Sequence, residues 1–226
     1  MLTTIAYIIL APVMMAWGLP TLFTLLLAAL LVVIPFELGF LLYQAKKTNG
    51  SFSLQGIVVY QEPLPRWQYF VFPVLLLVWG FLISGLISPL DNAIRQALFS
   101  WLPDWFFISS LDQFAPYTQS ALLTTFIFGL IVNGFAGPVI EELYFRGYLL
   151  PRMAQFGRWS PLLNVLLFSL YHFWTPWQNL SRILLMLPLV YAVWWKRNIY
   201  VGIVAHCALN LIGWSLTFAL ILGSTP

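Results

Sequence analysis

The chain has 226 residues, of which 61% are apolar and only 8% charged, with a formal net charge of +3. A soluble domain carries roughly 25% charged residues, so this composition excludes a water-soluble enzyme, a nucleic-acid binder and a disordered segment. What remains is an all-α, polytopic membrane bundle, because the apolar runs reach the roughly 20 residues that a helix needs to cross a bilayer core. Their continuity, without alternation, also excludes a β-barrel.

Met1 to Thr4 lack the basic cluster and cleavage pattern of a secretory signal, so the N-terminus reads as structure. The first apolar stretch, about residues 2–43, predicts two passes broken near Gly18-Leu19-Pro20. A polar segment with Lys46, Lys47, Glu62 and Arg66 precedes a third span at about 67–88. From Ser88 to about Tyr117, Asp91, Arg95, Asp104 and Asp112 alternate with Trp101, Trp105 and Phe106, which predicts an interfacial ledge or lid. A fourth span runs from about Ala121 to Leu150 and is bent at Gly137-Pro138. Spans at about 161–175, 181–195 and 199–222 complete a count of seven, within a range of six to eight. No internal repeat is evident. The whole of 1–226 is expected to form a single integral membrane domain, and Trp101, Trp105, Trp174, Trp177, Trp194 and Trp195 are expected to be interfacial anchors.

Positive residues accumulate on the cytoplasmic side of short loops. Seven spans with a cytoplasmic N-terminus put Lys46, Lys47, Arg66, Arg152, Arg158, Lys196 and Arg197 inside, and leave Arg95 and Arg182 outside with all three aspartates. The expected location is the cell inner membrane, and the expected surroundings are membrane lipids.

An ionisable side chain inside a span costs roughly 2.5–3.5 kcal/mol, so each one calls for a reason. Glu141, Glu142 and Arg146 fall in span four, His172 in span five, and His206 with Asn210 in span seven. At about 1.5 Å per residue, Glu141 lies roughly 14 Å from the inner end, His172 roughly 17 Å, His206 roughly 11 Å and Asn210 roughly 17 Å. Three helices thus bring polar groups to one layer. Glu142 and Arg146, four apart, form an ion pair on one helix face, while Glu141 points about 100° away and is free to act. His206 and Asn210 share a face and can donate jointly to one small target. A packing reading makes the two glutamates an interhelical clamp and Asn210 a helix bridge. Glu37 lies within the second span without an assigned role.

Glu141-Glu142-Leu-Tyr-Phe-Arg146, Phe168-Ser-Leu-Tyr-His172 and His206-Cys-Ala-Leu-Asn210 match E-E-x-x-x-R, F-x-x-x-H and H-x-x-x-N. In that order they resemble the CAAX protease and bacteriocin-processing (CPBP, or Abi) family of intramembrane endopeptidases. The likeness runs from Gly137 to Trp214, within a catalytic core of about 119–222. The resemblance implies a protease acting on membrane-associated protein or peptide substrates. Glu141 and His172 would activate a water, His206 and Asn210 would form the oxyanion hole, and Glu142 and Arg146 would support them. A polar chamber is expected to open toward the cytoplasm.

Zn²⁺ is the mechanistic rival, since two Glu and two His are possible ligands; the H-E-x-x-H pattern is absent, and pairing of His206 with Asn210 favours a reaction with no cofactor. Cys207, the single cysteine, has no deduced base and offers no disulfide or Cys-rich metal site. Two non-proteolytic readings stand beside these: a bacteriocin-immunity or membrane-scaffolding protein, and a transporter using Glu141 and His172 as a proton relay. The latter would be expected to show paired broken helices.

Overall fold

The computed structural model describes residues 1–107 and 111–224, apart from the side chains of residues 111, 112 and 224. The chain is an all-helical membrane bundle. Seven helices are present among the described residues: α1 (Leu2–Ala16), α2 (Thr21–Asn49), α3 (Gln68–Leu98), α4 (Gln119–Arg152), α5 (Ser160–Tyr171), α6 (Asn179–Lys196) and α7 (Ile199–Ser224).

All seven lie where the apolar runs predict, but they do not all have the reach of a span. By length and composition α2, α3, α4 and α7 can cross a membrane. Helix α1 has 15 residues and α5 has 12. At about 1.5 Å per residue they reach only about 22 and 18 Å, short of the roughly 30 Å hydrocarbon core. The expected count of seven helices is met, and four of them are by length and composition able to cross a membrane. Helix α1 folds back along the first half of α2, through a turn in which Gly18 takes φ +75° before Pro20 starts the next helix.

The Ser88–Leu98 half of the expected ledge is simply the continuation of α3, a 31-residue helix. Beyond it Phe106 and Phe107 are buried with Trp177 in a cluster that includes Tyr7. Trp177 is thus a core residue and not an interfacial anchor, whereas Trp101 and Trp195 are exposed. Asp112, assigned to the same ledge, has its side chain outside the described residues.

Helices α4 and α7 pack on each other at the centre, with α2 against α4, α3 and α6 against α7, and α5 between α4 and α6. Close approach is bought by glycine: a Cβ at Gly129 would fall within 1.9 Å of the Trp214 ring. Outward, α3 presents Phe70, Leu75, Leu82 and Leu86 in exposed positions, an apolar face suited to lipid.

One end of the bundle is tied by the segment 57–62. Val59 N–H donates to Gly147 O (2.9 Å), Ile199 N–H to Tyr60 O (2.8 Å) and Glu62 N–H to Arg197 O (2.9 Å). Arg152 Nη1 also reaches Ile57 O (3.2 Å). The α4–α5 and α6–α7 connections therefore share one end. The α5–α6 turn sits at the other, where Trp177 packs on Phe99, Phe106 and Phe107.

Candidate active site

Helix α4 is wound irregularly where the polar residues fall. Two π-helical stretches, Val132–Ala136 and Glu142–Leu149, flank the regular turn that carries Glu141. Such widened turns recur at functional sites. Pro138 has no N–H to give to the carbonyls four or five residues back. One of those, Asn133 O, is taken instead by Asn210 Nδ2 of α7 at 2.9 Å. The Gly137-Pro138 kink thus creates the acceptor that fixes Asn210.

Glu142 and Arg146 are both fully buried and paired at 3.1 Å despite the π winding. The guanidinium lies 4.2 Å from the centroid of the Phe168 ring, so the aromatic of the second motif covers the arginine of the first. Glu142 Oε1 also meets His206 Nδ1 at 3.0 Å. Room for the carboxylate depends on α7, because a Cβ at Gly202 would lie 2.7 Å from Glu142 Oε2.

Glu141 stands between the two histidines. Its Oε1 is 3.9 Å from His172 Nε2, and its Oε2 is 3.8 Å from His206 Nε2. Both distances exceed a direct hydrogen bond. The Tyr171 hydroxyl donates to Glu141 Oε1. His172 lies one residue past α5, with φ −76° and ψ 57°, in the turn and not in a span as expected. Its Nδ1 pairs with Phe168 O at 2.7 Å, which makes Nδ1 the donor and leaves Nε2 as the acceptor nitrogen of the neutral ring.

The structure therefore brings Glu141, His172, His206 and Asn210 to the wall of one chamber of about 640 Å³. Glu142 and Arg146 lie behind that wall. Three contributors escape the sequence reading. Tyr171 falls inside a quoted motif but carries no recognisable pattern of its own. Asn133 acts through a backbone carbonyl. Glu37 of α2, 3% exposed, interacts electrostatically with Glu141, Glu142 and Arg146, and its Oε2 has no hydrogen-bond partner; charge inside an apolar span was the available signal.

Other nucleophiles are poorly placed. Ser169 is buried and donates to Asn179 O at 3.0 Å, and Cys207 is buried and does not line the chamber. The histidines meet opposite oxygens of Glu141, and His206 turns its other nitrogen to Glu142. No group of three or more His, Cys, Asp or Glu side chains among the described residues is arranged to hold a metal ion.

The chamber does not open toward the basic loops. From Glu141 it extends past Ser88 and Asn92 of α3, Leu22 of α2 and Thr175 and Gln178 of the α5–α6 turn. That is the end away from Lys46, Arg152 and Arg197. Depth counting located the polar layer but carried no information about which side of it was empty.

The family model described as type II CAAX prenyl endopeptidase Rce1-like matches residues 122–212. No curated protein and no solved structure matches the chain.

Proposed function

From the match of residues 122–212 to the Rce1-like type II CAAX prenyl endopeptidase model, we propose that this protein is an intramembrane endopeptidase in which Glu141 and His172 activate water without a metal ion. The observation that carries the reading is the pair of acceptors, Glu141 Oε1 and His172 Nε2, facing each other at 3.9 Å on a chamber wall. That gap is too wide for a direct bond and suits one water touching both.

The chemistry follows from these atoms. The water oxygen forms a bond to the scissile carbonyl carbon while its proton passes to Glu141, with His172 Nε2 holding the same water in place. Negative charge moves to the carbonyl oxygen, where Asn210 offers the Nδ2–H that Asn133 does not use. With Nδ1–H donated to Glu142, His206 presents Nε2–H to the same oxyanion in its imidazolium form. Donors fixed before the reaction are worth most where water is scarce. Collapse of the tetrahedral species breaks the C–N bond, and the proton held by the base goes to the leaving amine. Tyr171 holds the Glu141 carboxylate in place throughout.

Substrates are membrane-associated proteins or peptides. The test compares membranes and medium of cells carrying wild type or Glu141→Ala by peptide mass spectrometry. New C-termini present with wild type and missing with Glu141→Ala are expected. An immunity or scaffolding protein, or a proton-coupled carrier, would give identical peptides in both.

A further inference from the structure

A second recess lies on the outer face of the bundle, between α3 and α6, away from the chamber and unused by the chemistry above. Phe72, Leu75 and Leu76 of α3 face Pro188, Tyr191 and Trp195 of α6 around a groove of about 470 Å³. Every side chain of its lining is apolar or aromatic. Leu75 and Trp195 are exposed, so the groove is open along its outer side to the hydrocarbon of a bilayer.

The sequence accounts for its shape. Pro188 lies inside α6 and has no N–H to give to Leu184 O, one turn back. The Trp79 indole of α3 donates to that carbonyl at 3.0 Å instead, and so pins the two helices together at one end of the groove. Trp79 is two turns of α3 from Phe72, about 10 Å, and beyond Phe72 the groove reaches the basic end of the bundle.

That end is crowned by Lys196. Its Nζ stands 3.8 Å from the centroid of the Trp195 ring and 5.3 Å from that of Phe72, so one ammonium meets a ring from each wall. Among the described residues no carboxylate pairs with it. Glu62, the acid of the neighbouring segment, is taken by Arg197 at 3.6 Å. The Tyr191 hydroxyl, from the groove lining, donates to Arg158 O at 3.0 Å, which brings a second basic residue to the rim. Uncompensated positive charge thus stands at the mouth of a channel that offers nothing polar further in. The complementary ligand carries an anionic head on a hydrocarbon chain.

We propose that the α3–α6 groove binds one anionic phospholipid, with an acyl chain laid along Phe72, Leu75 and Pro188 and the phosphate held by Lys196. Lys and Trp side by side at a helix end mark the headgroup level of a bilayer, and basic pockets between membrane helices take anionic headgroups. The inner faces of the same two helices line the chamber, through Ser88 of α3 and Arg182 of α6. A lipid seated between their outer faces therefore steadies two walls of the chamber. The binding does not depend on what the chamber does.

The test titrates the purified full chain in detergent with phosphatidylglycerol or, in parallel, phosphatidylcholine, read by native mass spectrometry and by melting temperature. One phosphatidylglycerol is expected to bind in preference and to raise the melting temperature saturably. Lys196→Gln should weaken that binding about fivefold, the worth of one basic residue at an anionic surface, while Lys196→Arg keeps it. Lys47→Gln, which removes a basic charge on α2 away from the groove, should leave it unchanged. Glycerol 3-phosphate, a phosphate head without chains, should neither bind nor stabilise. Equal binding of the two lipids, an equal loss with Lys47→Gln, or stabilisation by glycerol 3-phosphate alone would each overturn the proposal.

Discussion

Glu142 has two charged or polar partners on two helices, Arg146 on its own and His206 on α7, so removing it strands both. Breaking one side of a fully buried ion pair costs about 3–5 kcal/mol, whereas replacing both partners by apolar groups costs far less. Glu142→Ala should accordingly lower the melting temperature in detergent sharply. The double variant Glu142→Leu with Arg146→Met should recover much of the loss while staying inactive, because His206 still lacks its Nδ1 acceptor. Recovery of activity along with stability would show that Glu142 has no part in the chemistry. Tyr171 makes a different kind of contribution. Its ring packs against Phe145 and Phe168, and only the hydroxyl meets Glu141. Tyr171→Phe keeps the packing, and a hydrogen bond to a charged group is worth about 1.5–3 kcal/mol. The turnover rate should fall roughly 10- to 100-fold, with a melting-temperature loss no larger than that one hydrogen bond accounts for, read from kcat and melting curves side by side.

The order and approximate limits of the helices were legible in the amino-acid sequence because hydropathy reports them directly. Membrane reach was not, since α1 and α5 are apolar enough to be mistaken for spans and fail on length. The winding of α4 was legible only as a kink at Pro138; its π stretches, and the capture of Asn133 O by Asn210, are tertiary facts that no spacing rule announces. The contact between α7 and α4 is the element-scale determinant of the site. Gly202 and Gly213 lie on the same helix, yet a Cβ at Gly202 would meet Glu142 Oε2 at 2.7 Å while one at Gly213 meets nothing within 4 Å. Gly202→Ala should therefore cost about 1–3 kcal/mol by overpacking and reduce cleavage. Gly213→Ala should be neutral or slightly stabilising, since alanine favours the helix by about 0.4–1 kcal/mol. Thermal melting of the two variants against wild type checks the contrast, and equal effects would mean that α7 does not set the position of Glu142.

For the molecule as a whole, scarcity of charge was the most informative property. It identified a membrane protein, and the exceptions to it, Glu141, Glu142, Arg146, His172 and His206, converge in space. Glu37 was the exception left without a role, and it too proves to lie in the field of that cluster. What the chain could not reveal by itself was the direction of the chamber, because that depends on where side chains fail to fill space. The central claim is that Glu141 acts as the base in a metal-free hydrolysis. The most direct measurement is single-turnover cleavage of a membrane-associated peptide by the purified protein in liposomes, comparing wild type, Glu141→Gln and wild type with a strong metal chelator. A loss of at least about 10²-fold with Glu141→Gln, and an unchanged rate with chelator, is the expected result. A stable, active Glu141→Gln variant, or an activity abolished by chelation and restored by Zn²⁺, would contradict it.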